Sequence, residues 1–144
     1  MKYSRVFFIF IFISCNRYVE KNNDSADVST GKIMTTQFYE YMSKGDRDKI
    51  YLMCSDSLSV KDFKNLLHVK DSILGDIVKI EIIDVNTSDV NSDDTDRTKY
   101  LIELKVKYQR GENEETVEFV KDESGDEILQ SYNFKPIWGN VSNG

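Results

Sequence analysis

Apolar and polar positions along the chain change rhythm part-way through. From Gly31 to Ser43 the apolar residues Met34, Phe38, Tyr41 and Met42 recur at i, i+4, i+7 and i+8, the spacing of one helix face. Lys44-Gly45 supplies a cationic last turn and a stop, and Asp46 can cap a second, shorter helix over Arg47 to Cys54. A third helix is bracketed by Ser59 as N-cap, with Asp62 three positions on in a relative of the capping box, and by Gly75 at its end. Its apolar stripe is Val60, Phe63, Leu66, Leu67 and Leu74.

The period then falls to two. Val78, Ile80 and Ile82 alternate with Lys79 and Glu81, and Tyr100, Ile102, Leu104, Val106 and Tyr108 alternate with polar residues over a longer run. Val117 and Phe119 mark a third strand, and Ile128, Tyr132 and Phe134 a fourth. Gly111 and Ser124-Gly125 sit in the last two connections, so hairpins are expected there, with Asn86 to Arg97 as a longer loop before them. The predicted architecture is α+β, with three N-terminal helices packed on one face of a curved four-stranded antiparallel sheet. Lys105, Lys107, Glu103 and Glu118 fall on the opposite, solvated face.

The first fourteen residues follow another rule. Lys2 and Arg5 precede an unbroken apolar block, Val6 to Ile13, and then Ser14. Eight apolar residues fall far short of the roughly 20 that cross a bilayer as a helix, but they fit the apolar region of a secretion signal. Residues 1–14 are therefore read as a removable signal. Phe12-Ile13-Ser14-Cys15 resembles a bacterial lipobox, with Phe12 where Leu is usual. That resemblance implies cleavage before Cys15 and lipidation of its thiol, two or three acyl chains giving a stable anchor. It places the protein in the bacterial cell envelope; Asn16, which is not Asp, points to the outer membrane. Residues 15–30 read as a lipidated cysteine and a flexible polar tether, 31–138 as the domain, and 139–144 as a tail.

The formal net charge is −6, and losing Lys2 and Arg5 with the signal makes the chain more acidic still. No Lys or Arg cluster offers a nucleic-acid face. With Cys15 consumed by lipid, Cys54 is left without a disulfide partner; its helical spacing from Ile50 and Met53 reads as a buried, inert thiol.

Chemical motifs are sparse. The single histidine, His68, points away from the stripe of its helix and is expected in solvent. Asp89, Asn91 and Asp93 occupy the first, third and fifth places of a calcium loop, but Asp94 stands where the turn needs Gly and Tyr100 where a bidentate Glu is needed. The sequence has no GxGxxG, phosphate loop, CxxC or HExxH. No catalytic, metal or cofactor residues are assigned.

Three stretches, FYEYMSKGDRDKIYLMCS, SVKDFKNLLHVKDSILGDIVKIEI and the strand trio ending DEILQSYNF, together resemble the nuclear transport factor 2-like (cystatin-like cone) superfamily. Within it they are similar to small envelope lipoproteins over about Ile33 to Phe134. One departure is the missing short strand between the second and third helices, for which Leu58 is the only candidate. The resemblance implies a pocket between sheet and helices, with Tyr100, Tyr108 and Tyr132 as candidate lining. Some members of that superfamily are isomerases using an Asp base and a Tyr donor; here Asp84 breaks an apolar alternation, but no Asp falls among the inward positions. The expected function is a non-catalytic, membrane-anchored lipoprotein that binds a small apolar ligand or an envelope partner protein. A cone-pocket enzyme of isomerase type and a structural subunit of an envelope assembly are the alternatives. Trp138, in KPIWGN, would separate a partner contact from packing at the cone mouth.

Overall fold

The computed structural model describes residues 19–21, 23–92, 95–122 and 124–136. Cys15, the signal segment, Trp138 and the tail lie outside the described residues. A short strand β1 (Val19–Lys21) precedes helices α1 (Ser25–Lys44), α2 (Arg47–Leu52) and α3 (Val60–Leu74). Strands β2 (Ile77–Ser92), β3 (Thr95–Tyr108), β4 (Gly111–Lys121) and β5 (Glu127–Pro136) follow. The α+β class stands, and the four long strands form the expected antiparallel meander. The helices, however, are not the first elements. β1 pairs antiparallel with β2, through Val19 and Val90, and extends the sheet to order β1-β2-β3-β4-β5.

Local signals set the helix boundaries. Ser59 Oγ accepts from the Asp62 amide at 3.3 Å and opens α3, which closes at Gly75 as expected. Gly45 ends α1 with φ of 71°, a left-handed conformation that favours glycine, while the Gly45 and Asp46 amides donate to the Met42 and Tyr41 carbonyls. α1 begins at Ser25, where Asp24 accepts from the Ala26 amide, so β1 and the first turns of α1 occupy most of the stretch expected as a tether. Gly31 lies inside this helix because α1 crosses the sheet closely there: a Cβ would stand 2.9 Å from Val85 Cγ1 and 3.2 Å from Tyr100 Cδ1.

Two further expectations are corrected. Asn86 to Arg97 is not a loop, since β2 runs to Ser92 and β3 starts at Thr95. Asp89 and Asn91 thus have strand backbone, not the conformation of a calcium loop, and Asp93 and Asp94 lie outside the described residues. The phase of β2 also changes, because Val78 and Ile83 are extra residues at two register shifts against β3. Val78 therefore faces solvent despite its apparent alternation, and after Ile83 the inward positions become Val85 and Thr87. Asp84, the interruption noticed in the sequence, is exposed and accepts from the Val85 amide and the Asn86 side chain. A third shift in β5, at Gln130 opposite Glu118 and Phe119, makes Leu129 the inward residue in place of Ile128.

Between the layers, Met34, Phe38 and Met42 from α1 and Phe63 and Leu67 from α3 meet Ile102, Leu104, Val117 and Phe119 of the sheet. Each such side chain, once buried, contributes about 1.5–3 kcal/mol of transfer free energy. α2 contributes Ile50, and Arg47 ties α2 to α3 through an ion pair with Asp71. After α2, Cys54 bridges β5 at Leu129 in parallel, so Cys54 and not Leu58 makes the strand-like contact between the second and third helices.

Candidate functional site

Polar groups collect at one place inside this core. Lys70 of α3 and Glu115 of β4 are both fully buried at their side chains, with Lys70 Nζ 3.9 Å from Glu115 Oε1. Periodicity puts them there. Lys70 continues the α3 stripe, seven residues after Phe63 and three after Leu67, while Asn113 and Glu115 share the inward phase of Val117 and Phe119 on β4. Their polarity hides a position that spacing alone assigns.

Three tyrosines complete the cluster. Tyr39 and Tyr132 each donate to Glu115 Oε2 at 2.6 Å, and Tyr108 donates to Oε1 at 2.5 Å. The Asn113 amide adds a longer contact to Oε1 at 3.4 Å. A carboxylate has about four lone-pair sites, so these donors account for its acceptor capacity. Lys70 in turn donates to Tyr108 Oη at 2.8 Å and Tyr132 Oη at 2.6 Å. Its nitrogen is 5.1 and 5.0 Å from the centroids of those same rings, and so sits at their oxygen ends rather than over their faces. Two parallel relays, each lysine to phenol to carboxylate, thus join α3 to three strands, and Tyr39 joins α1 to them.

Burial acts on every member that can carry charge. It pulls Lys70 down to about 8, against an attraction to Glu115 that favours the ammonium. Burial first, and the neighbouring Glu115 carboxylate second, push the Tyr39 and Tyr108 hydroxyls well above their ordinary range. Tyr132 rises by burial first, and then through its coupling to Tyr39 and the Glu115 carboxylate. The phenols therefore stay protonated at neutral pH, acting as fixed donors to the carboxylate.

Of the three tyrosines expected to line a pocket, Tyr108 and Tyr132 meet at this cluster. Tyr100 does not. It lies eight residues from Tyr108 on the same strand, about 26 Å at the usual rise, and packs where Gly31 crosses the sheet. His68 is exposed, as its helical phase predicts. Cys54 is half-buried rather than buried; its thiol donates to the Ile50 carbonyl at 3.5 Å, and burial raises its pKa, opposing thiolate formation. No protein-family model, curated protein or solved structure matches the chain.

Beyond the core, four large apolar side chains are exposed on the helices: Ile33 of α1, Leu52 of α2, and Val69 and Ile73 of α3. Ile33 and Tyr41 line a shallow groove of about 490 Å³ on the outer side of α1, together with Lys32, Thr36, Gln37 and Glu40. The cluster and the groove offer different chemistry: polar groups bonded to one another inside, and open apolar surface outside.

Proposed function

We propose that the protein is a non-catalytic lipoprotein of the bacterial cell envelope, held to the membrane through Cys15, whose domain recognises a partner protein. The domain is read as a curved cone of the nuclear transport factor 2-like type; the extra residues in β2 and β5 support curvature, because a bulged strand bends. One observation carries the non-catalytic reading. The groups best suited to acid–base work, Lys70, Glu115 and the tyrosines, are committed to one another, with both Glu115 oxygens already accepting donors from the chain. An acid or base needs a free position within hydrogen-bond reach of a substrate proton. Exposed Ile33, Leu52, Val69 and Ile73 favour a macromolecular partner over a small apolar ligand.

The anchor rests on the basic start, the short apolar block and Cys15. Cys15→Ser is expected to abolish fatty-acid labelling and to leave unprocessed precursor; a processed, labelled variant contradicts the anchor. For recognition, Ile33→Glu and Ile73→Glu should leave the thermal transition unchanged and release proteins that crosslink to the native chain in intact cells. Unchanged crosslinking in both variants contradicts recognition through the helical layer. An apolar molecule recovered by native mass spectrometry after gentle extraction would favour the ligand-binding alternative.

A further inference from the structure

Proton counting in the buried cluster leads beyond recognition. An ammonium has three N–H donors, but Lys70 has only two acceptors within hydrogen-bond distance among the described residues, Tyr108 Oη and Tyr132 Oη. A neutral amine has two N–H groups and can keep both bonds. Deprotonation therefore removes the attraction to Glu115 across 3.9 Å, but no hydrogen bond. Glu115 meanwhile keeps Tyr39, Tyr108, Tyr132 and Asn113 as donors whether or not the lysine is charged.

We infer that the Lys70–Glu115 pair is a proton-responsive device in the core: the domain takes its neutral-lysine form without rearrangement or loss of a hydrogen bond, and gains stability over the unfolded chain as that form fills. The surroundings of Lys70 are mixed. Arg47 of α2 opposes its charge, while Asp71 on its own helix and Glu115 of β4 favour it. Tyr39 of α1, Tyr108 of β3 and Tyr132 of β5 face the cluster as neutral phenols.

The direction of the pH effect follows from where the proton resides. With Lys70 lowered from 10.5 to about 8, the unfolded chain holds a proton between those values that the folded chain has lost. Stability from this group therefore rises with pH across that window, and is constant below it. Cys54, raised by burial, works the other way, as do the tyrosines once pH approaches 10. Comparison with a Lys70→Met variant cancels those contributions.

The test is urea unfolding of the full chain and of Lys70→Met at several pH values from 7 to 10. The expected result is a native unfolding constant that falls, relative to the variant, by up to about 10-fold per pH unit above pH 8. A ratio independent of pH overturns the inference. If Lys70→Met does not fold, the native chain is titrated by NMR of ¹³C-labelled lysine. One lysine, identified by its proximity to the rings of Tyr108 and Tyr132, should titrate near 8 and stay beside those rings throughout. Titration near 10.5, or movement of the side chain away from the rings on deprotonation, overturns it.

Discussion

The two halves of the core are held by different means. Around Phe38, Ile102, Val117 and Phe119 hydrocarbon packs against hydrocarbon, Phe38 meeting Phe119 edge-on with centroids 5.8 Å apart. Stability there is spread over many weak contacts, so trimming one methyl removes a small part of it. Around Glu115, by contrast, the carboxylate, the Lys70 amine and the three phenols rely on a few specific partners, and deleting one strands another in a medium that cannot solvate it. The apolar half spreads its stability over many contacts; the polar half ties α1 and α3 to the sheet through directional bonds, Tyr39 to Glu115 and Lys70 to Tyr108 and Tyr132.

That contrast can be broken by substitution, and the effects should fall in a definite order. Glu115→Ala should be the most damaging, costing about 3 kcal/mol or more in urea unfolding, because it strands the buried hydroxyls of Tyr39, Tyr108 and Tyr132 without their acceptor. A loss below about 1 kcal/mol would mean that water reaches the site. Tyr39→Phe removes one donor from Oε2 and leaves Tyr132 on that oxygen, so a loss of about 1.5–3 kcal/mol is expected by the same measurement. Ile102→Val, in the apolar half, should cost only about 0.5–1.5 kcal/mol despite complete burial. If Ile102→Val proves costlier than Tyr39→Phe, the distinction between the halves fails.

The sequence reveals these regions unevenly. α3 is legible to the residue because its limits are local: a serine that caps and a glycine that stops. The inward face of β3 is equally plain, since Tyr100 to Tyr108 alternate without interruption and all five inward positions are buried. What fails depends on partners distant in the chain. The polar run from Asn86 reads as a loop because nothing local says that β3 and β1 will flank it. β2 misleads for another reason, since two inserted residues reset its phase and make Val78 look buried. Of the candidate site, Tyr108 and Tyr132 are correctly set inward by alternation. Lys70 and Glu115 escape detection although both are in phase with apolar neighbours, because charge in a sequence ordinarily signals solvent. Tyr39 escapes as well, since the stripe of α1 runs through Phe38 and leaves its neighbour unmarked.

Whether the cluster is a mutually dependent structural unit is tested most directly by a double-mutant cycle on Lys70 and Glu115, read by urea unfolding at pH 7. Because Lys70 can give up its proton without losing a hydrogen bond, the charge coupling is capped at pH 7, and Glu115→Gln is expected to cost up to about 1.4 kcal/mol more in the native background than beside Lys70→Met. Equal costs in the two backgrounds would show that the residues act independently and contradict the account.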